Sequence, residues 1–138
     1  MTPNSSQLGG PGTILLVDDE PHILHVLSVI LRQGGYHVVA TADGDEAKDL
    51  LRRHSVQLVI TDVHMVSEDG TTLAAQLYAD EETRDMPVVF LTGHTLNAER
   101  DLTPNVRAVI AKPFSPRRVL AEIERFVPTS FETKADAA

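Results

Sequence analysis

The residues best suited to chemistry stand at the ends of apolar runs. Asp18 and Asp19 follow Thr13–Val17, Asp62 follows Val56–Thr61, Thr92 follows Pro87–Leu91, and Lys112 follows Arg107–Ala111. A lone carboxylate at the end of a core strand is costly to bury and needs a charged partner. Three carboxylates brought together bare repel one another. A hard divalent cation relieves that repulsion, and carboxylates with a backbone carbonyl are oxygen ligands suited to Mg²⁺. Each residue also has a plainer reading. Asp18 and Asp19, just ahead of Pro21, would serve as helix caps. Thr92 is a β-branched residue at home in any strand, and Lys112 would be a solvated surface lysine. Only the positions taken together raise the chemical reading above the plain ones. His22 and His25 sit one turn apart and could hold a metal, but a histidine pair without further ligands more often decorates a surface.

The elements that position these groups follow from periodicity. Thr13–Val17 reads as a strand. Ile23, Leu27, Ile30 and Leu31 repeat at helical spacing, which predicts a helix over Pro21–Gln33 stopped by Gly34-Gly35. Tyr36–Thr41 is the second strand, and Asp43 caps a helix over Gly44–His54. Val56–Thr61 is the third, followed by a helix over Gly70–Asp80 that buries Leu73, Ala74 and Leu77. Pro87–Leu91 is the fourth, and a short helical piece over Thr95–Leu102 ends before Thr103-Pro104. Arg107–Ala111 is the fifth, and Ser115-Pro116 opens a last helix with Val119, Leu120, Ile123 and Phe126 as its stripe. Five alternations of strand and helix imply a parallel sheet covered on both faces. In such sheets functional groups gather at the carboxyl ends of strands, near the point where strand order reverses.

Length and composition bound the rest. A chain of 138 residues with 42% hydrophobic content makes one domain with a real core. Twelve basic against 20 acidic residues give a net charge of −8, which argues against a nucleic-acid-binding surface. The absence of Cys excludes disulfide and thiolate chemistry and fits a cytoplasmic location. No apolar run is long enough to span a bilayer, and Met1–Gly12 lacks an apolar signal region. We expect flexible ends at 1–12 and 129–138 around a domain at 13–128.

At these residues the chain resembles the receiver domains of two-component response regulators, the chemotaxis receivers among them. The matching pieces are Leu16-Val17-Asp18-Asp19-Glu20-Pro21, Asp43-Gly44-Asp45-Glu46-Ala47, Asp62-Val63-His64-Met65 with Asp69-Gly70, Leu91-Thr92-Gly93, and Lys112-Pro113-Phe114. They stand in the family's order, and the ordered set is far more specific than any one piece. The resemblance implies an α/β fold, a doubly wound (βα)5 flavodoxin-like parallel sheet of strand order 2-1-3-4-5. It implies that Asp62 accepts a phosphoryl group from a histidine kinase, a phosphotransfer protein or a small donor such as acetyl phosphate. Asp19 and Asp62 would coordinate Mg²⁺ (or Mn²⁺) directly and Asp18 mainly through water, with the backbone carbonyl of His64 completing the protein's share. Lys112 and Thr92 would take the remaining phosphoryl oxygens, and Gly93 would leave room for the donor. His64 and His94 would flank the approach to the phosphoryl group and modulate its lifetime. The Lys112–Pro113 peptide is expected to be cis, as is usual in the family.

Phosphoryl transfer asks for little beyond in-line placement and charge neutralisation, which is what such a constellation offers. On this reading the domain is a signalling phosphoacceptor that assists its own phosphorylation and dephosphorylation, not an enzyme. Its partners are the kinase or phosphotransfer protein and a downstream protein or effector domain. A homodimer is compatible with the reading; direct nucleic-acid or membrane contact is not expected. No effector domain is legible after Val127, so a stand-alone relay protein and a receiver cut from a longer chain both stay open. The chain departs from the family at Val66, where Pro is usual. It departs again at Val109, the switch position, where many members carry Tyr or Phe. Thr103-Pro104 also shortens the helix ahead of it. Two rival readings follow: a receiver fold acting only as a docking platform, which Val109 favours mildly, and an aspartate-nucleophile phosphatase of the haloacid dehalogenase type. The second wants an Asp-x-Asp pair, which Val17-Asp18-Asp19-Glu20 does not supply.

Overall fold

The structure is a computed structural model that describes residues 12–64, 70–93 and 102–128. The chain runs β1 (Thr13–Val17), α1 (Pro21–Gln33), β2 (His37–Thr41), α2 (Gly44–Arg53), β3 (Leu58–Asp62), α3 (Gly70–Ala79), β4 (Val88–Thr92), β5 (Val106–Ala111) and α4 (Pro116–Glu124). The strands form one parallel sheet in the order β2-β1-β3-β4-β5. This is the doubly wound α/β architecture expected. The helical piece placed over Thr95–Leu102, the departure at Val66, and residues 1–11 and 129–138 lie outside the described residues, Leu102 apart. Gly12, expected in the flexible start, already belongs to the fold: its carbonyl accepts a 2.9 Å bond from the His37 N–H.

The helices begin and end for local reasons. Asp43 caps α2, its carboxylate accepting from the Asp45 N–H at 2.8 Å, and Ser115 caps α4 by accepting from the Arg118 N–H at 3.1 Å. Pro21 opens α1, its N-cap Glu20 makes no side-chain capping bond, and the Asp18 carboxylate accepts from the Glu20 N–H at 2.9 Å. Gly35 leaves α1 at φ 101°, a left-handed conformation that favours glycine. No helix among the described residues is long and apolar enough to cross a membrane.

Alternation along the strands sorts the core into two layers. Ile14, Leu16, Leu58, Ile60, Val89, Leu91 and Ile110 face α1 and α4, meeting Leu27, Leu31, Val119 and Ile123. Leu15, Val17, Val59, Val88 and Phe90 face α2 and α3, meeting Ala47, Leu73, Ala74 and Leu77. Burial on both sides explains why β3 and β4 are buried at every position while the edge strands β2 and β5 are not. β1 has the expected bounds, the other strands begin or end one or two residues from the expected ones, and the largest change is at β3. It begins at Leu58 rather than Val56 and carries Asp62 as its own last residue.

Between β4 and β5 the register shifts: Val88 pairs with Val106 but Val89 with Ala108, leaving Arg107 without a partner position. The extra residue lets Val106 join the layer under α3 while Ala108 and Ile110 face the other side. Just before β5, Asn105 is buried, and its side-chain amide donates to the Ala74 carbonyl of α3 at 3.0 Å. Its own carbonyl accepts from the Val88 N–H at 2.9 Å. Asn105 thus ties the start of β5 to both β4 and the middle of α3. Replacing it by Ala removes the bridge to the Ala74 carbonyl and takes the acceptor Oδ1 from the Thr103 hydroxyl. We expect Asn105→Ala to lose about 1–3 kcal/mol of stability by urea denaturation, with an unchanged m-value.

Candidate functional site

Three strand ends meet on one side of the sheet. Asp18, Asp62 and Lys112 each stand two residues beyond a side chain of the layer under α1 and α4, namely Leu16, Ile60 and Ile110. Alternation carries their side chains to that same face. The backbone is held at every point. The Asp18 N–H donates to the Thr41 carbonyl at 3.1 Å, the Val63 N–H to the Leu91 carbonyl at 3.1 Å, and the Lys112 N–H to the Thr92 carbonyl at 2.8 Å. The Lys112–Pro113 peptide is cis.

One oxygen from each of Asp18, Asp19 and Asp62 lies within 4.8 Å of the others, the one group of three or more metal-ligating side chains among the described residues. Asp18 is 1% and Asp62 6% exposed, so two of the three carboxylates have lost nearly all their water. The Lys112 ammonium answers them at 3.4 Å from Asp18 Oδ2 and 3.3 Å from Asp62 Oδ1. Among the described residues one ammonium faces two buried carboxylates with Asp19 beside them, a surplus of negative charge in a partly dry site. That surplus, offered by hard oxygen donors, is what a small divalent cation takes up, so the residues fit Mg²⁺.

The protonation equilibria carry the same signature. Burial pushes the Asp18 carboxyl up; the Glu20 N–H, donating to it at 2.9 Å, works against this, Asp62 adds to the rise and Lys112 opposes it, with a net upward shift. Burial works against the charge on Lys112, but Asp18 and then Asp62 outweigh it and hold the ammonium above the ordinary lysine value. The carboxylate cluster therefore costs stability and the lysine offsets part of that cost.

The remaining expected residues are placed as follows. Thr92 is buried at the end of β4, in the row of Phe90 and so on the α2–α3 side, and is joined to Lys112 through its carbonyl. Gly93 is exposed, and among the described residues a Cβ there would meet only Lys112 Cβ at 3.9 Å, an ordinary contact. His64 is exposed and two residues past Asp62. Val109 is half-buried opposite Phe90 and packs into the layer under α2 and α3. His94 and Asp69 lie outside the described residues. His22 and His25 are exposed on α1 with no third metal ligand gathered beside them among the described residues.

Gly70 is the residue whose role sequence reasoning missed. It opens α3, and a Cβ on it would stand 2.3 Å from the Asp62 carbonyl oxygen and 3.0 Å from Val63 Cα. Its N–H donates to the Val63 carbonyl at 2.7 Å. The helix thus rests directly on the backbone that carries Asp62. Asp69-Gly70 in the sequence signals a turn, but nothing local signals a contact with residues eight positions earlier.

The response regulator receiver domain family matches residues 14–124. The chain belongs to that family. It is 32% identical over 122 residues to the response regulator GtcR of Aneurinibacillus migulanus, covering 87% of this chain and 49% of the relative. The chain spans about half the length of the curated relatives it matches. Among solved structures, the chemotaxis response regulator CheY4 of Vibrio cholerae is 25% identical at a TM-score of 0.77, covering 84% of this chain and 98% of that one. The receiver domain of sensor histidine kinase PA1611 from Pseudomonas aeruginosa PAO1 is 28% identical at a TM-score of 0.74, covering 85% and 97%. That structure has a magnesium ion coordinated in its active-site cleft. The chain is thus a receiver domain of the kind found in two-component response regulators.

Two predictions follow from the receiver's geometry. Gly70→Ala must push α3 off the Asp62 backbone, and we expect roughly 1–3 kcal/mol lost in chemical denaturation. Asp18→Asn, without added divalent ion, should be more stable than the parent chain at neutral pH, because burial and then Asp62 disfavour the ionised carboxyl. Because the Asp18 pKa is raised on folding, its cost is present above that raised value and is relieved as pH falls through it. The stability gap between Asp18→Asn and the parent chain should therefore narrow on acidification, and also on adding Mg²⁺ at neutral pH.

Proposed function

We propose that this receiver accepts a phosphoryl group on Asp62 from a histidine kinase or phosphotransfer protein. The observation that carries the proposal is the Lys112 ammonium set between the buried carboxylates of Asp18 and Asp62, with Asp19 within reach of both. An Asp62 carboxylate oxygen forms the new bond to phosphorus, and the donor's bond to phosphorus breaks, its electron pair leaving with the donor. Asp62 attacks as a carboxylate facing the Lys112 ammonium, so the step calls for no separate activating base.

Asp18, Asp19 and Asp62, with the backbone carbonyl of His64, would hold Mg²⁺ or Mn²⁺. When bound, the ion supplies positive charge to the phosphoryl oxygens as they are transferred. Lys112 is the chain's own cation for a second oxygen. Phosphorylation adds charge at Asp62, so the ammonium is drawn from its two carboxylates toward the phosphoryl group. The Thr92 hydroxyl serves the third oxygen. Since the Lys112 N–H is bonded to the Thr92 carbonyl, any shift in one strand end is felt by the other. Exposed His64, and His94 on the far side of Gly93, modulate water access and so the lifetime of the phosphoryl group. The two charge states favour different partner surfaces, either on a separate protein or on a domain attached in a longer chain. A cytoplasmic setting follows from the proposed kinase chemistry.

Intact mass after incubation with acetyl phosphate and Mg²⁺ tests this directly. We expect gain of one phosphoryl group, none in Asp62→Asn, and none when the divalent ion is chelated. A folded chain that gains nothing under any divalent ion would overturn the proposal in favour of a phosphorylation-independent docking module.

A further inference from the structure

At the opposite end of the sheet, beside the amino ends of β3 and β4, a cleft of about 260 Å³ opens between α2 and α3. Its floor is apolar: Leu51, Val56, Leu77 and Met86, all part of the layer under these two helices. Its rims are charged and opposite in sign. Lys48 and Arg52 stand one turn apart on α2, while Asp80 and Glu82 stand on the turn that follows α3.

Among the described residues no ion pair joins the two rims. Arg52 pairs with Asp49 on its own helix at 3.9 Å, and Lys48 pairs with Asp45 at 3.5 Å and reaches the Gln76 side-chain oxygen. The Asp80 carboxylate accepts from the Glu82 N–H at 2.9 Å, and among the described residues neither acid is in an ion pair. The end of α3 adds its own partial negative charge on the acidic side.

We propose that this cleft binds a small amphipathic zwitterion of the class of apolar α-amino acids. The carboxylate would lie toward Lys48 and Arg52, the ammonium toward Asp80 and Glu82, and the side chain on the floor. An anion or cation alone would meet one rim of the wrong sign, and a neutral apolar molecule would leave both rims unanswered. The volume decides the size of the ligand. A dry cavity of about 150 Å³ holds benzene and drug-sized pockets begin near 300 Å³, so an amino acid fits and a cofactor does not.

The cleft also has a mechanical route to the phosphoacceptor. Gln76, Leu77 and Asp80 belong to the far end of α3 and its exit, and the near end of that helix is Gly70, lodged against the Asp62 backbone. A ligand that sets the spacing of α2 and α3 sets how Gly70 presses on Asp62. This coupling rests on the phosphoryl reading of Asp62; the binding does not.

Amide shifts of the isotopically labelled chain, titrated with L-phenylalanine, provide the test. We expect saturable shifts at Leu51, Gln76, Leu77 and Met86 in the millimolar range, about 1 mM or above. The shifts should be absent with 3-phenylpropionate or phenethylamine, which carry one charge each. Arg52→Glu and Glu82→Lys are exposed substitutions that keep the fold, and each should weaken binding about tenfold or more. No shifts at saturating amino acid, or equal shifts with the singly charged analogues, overturn the site. In a second measurement the rate of phosphorylation by acetyl phosphate should change with the amino acid in the parent chain and not in Glu82→Lys. An unchanged rate with proven binding overturns the coupling. A chain that takes no phosphoryl group fails the earlier proposal instead, and the amide shifts still decide the cleft.

Discussion

Everything at the carboxyl edge of the sheet depends on a charge imbalance: one lysine ammonium facing two buried carboxylates, with a third beside them. A buried ion pair is not by itself a source of stability, since dehydrating the charges costs about as much as their attraction returns. Here the balance is worse than a pair, because the negative charges outnumber the positive one. The fold tolerates the deficit by spending hydrophobic burial elsewhere, in two layers of Leu, Ile, Val and Phe on either side of the strands. The result is a site with a surplus of negative charge on hard oxygen donors among the described residues, which suits it to a small divalent cation.

The scaffold holds that imbalance with backbone rather than side-chain interactions. Each strand end is bonded to its neighbour one residue past the regular ladder, so the acidic and basic side chains cannot drift apart without breaking sheet hydrogen bonds. Two local irregularities complete the geometry. Arg107, the residue without a partner position, allows β5 to fill one layer with Val106 and the other with Ile110, which keeps Lys112 on the carboxylate side. Gly70 lets a helix end approach the Asp62 carbonyl closer than any side chain would permit.

The two faces of the sheet divide the work. Asp18, Asp62 and Lys112 belong to the face under α1 and α4, whereas Thr92 falls in the row of Phe90 and Val109, under α2 and α3. The backbone bond from Lys112 to Thr92 joins the two. Val109 packs against that second layer and offers no aromatic ring to reorient.

The order of elements, the two-layer core and the candidate side chains were all legible in the linear chain. Periodicities of two and 3.6 are written in residue types, and Asp18, Asp19, Asp62, Thr92 and Lys112 each follow an apolar run. Capping at Asp43 and Ser115 was equally local. Other features could be decided only by the folded chain. These are the convergence of the charges within a few ångströms, the register shift at Arg107, the lodging of Gly70 against Asp62, the bridge from Asn105 to α3, and the cleft between α2 and α3. Each depends on contacts between residues far apart in sequence, and distance through space has no trace in local composition. The chain specified which groups were available; packing and strand register decided which of them meet.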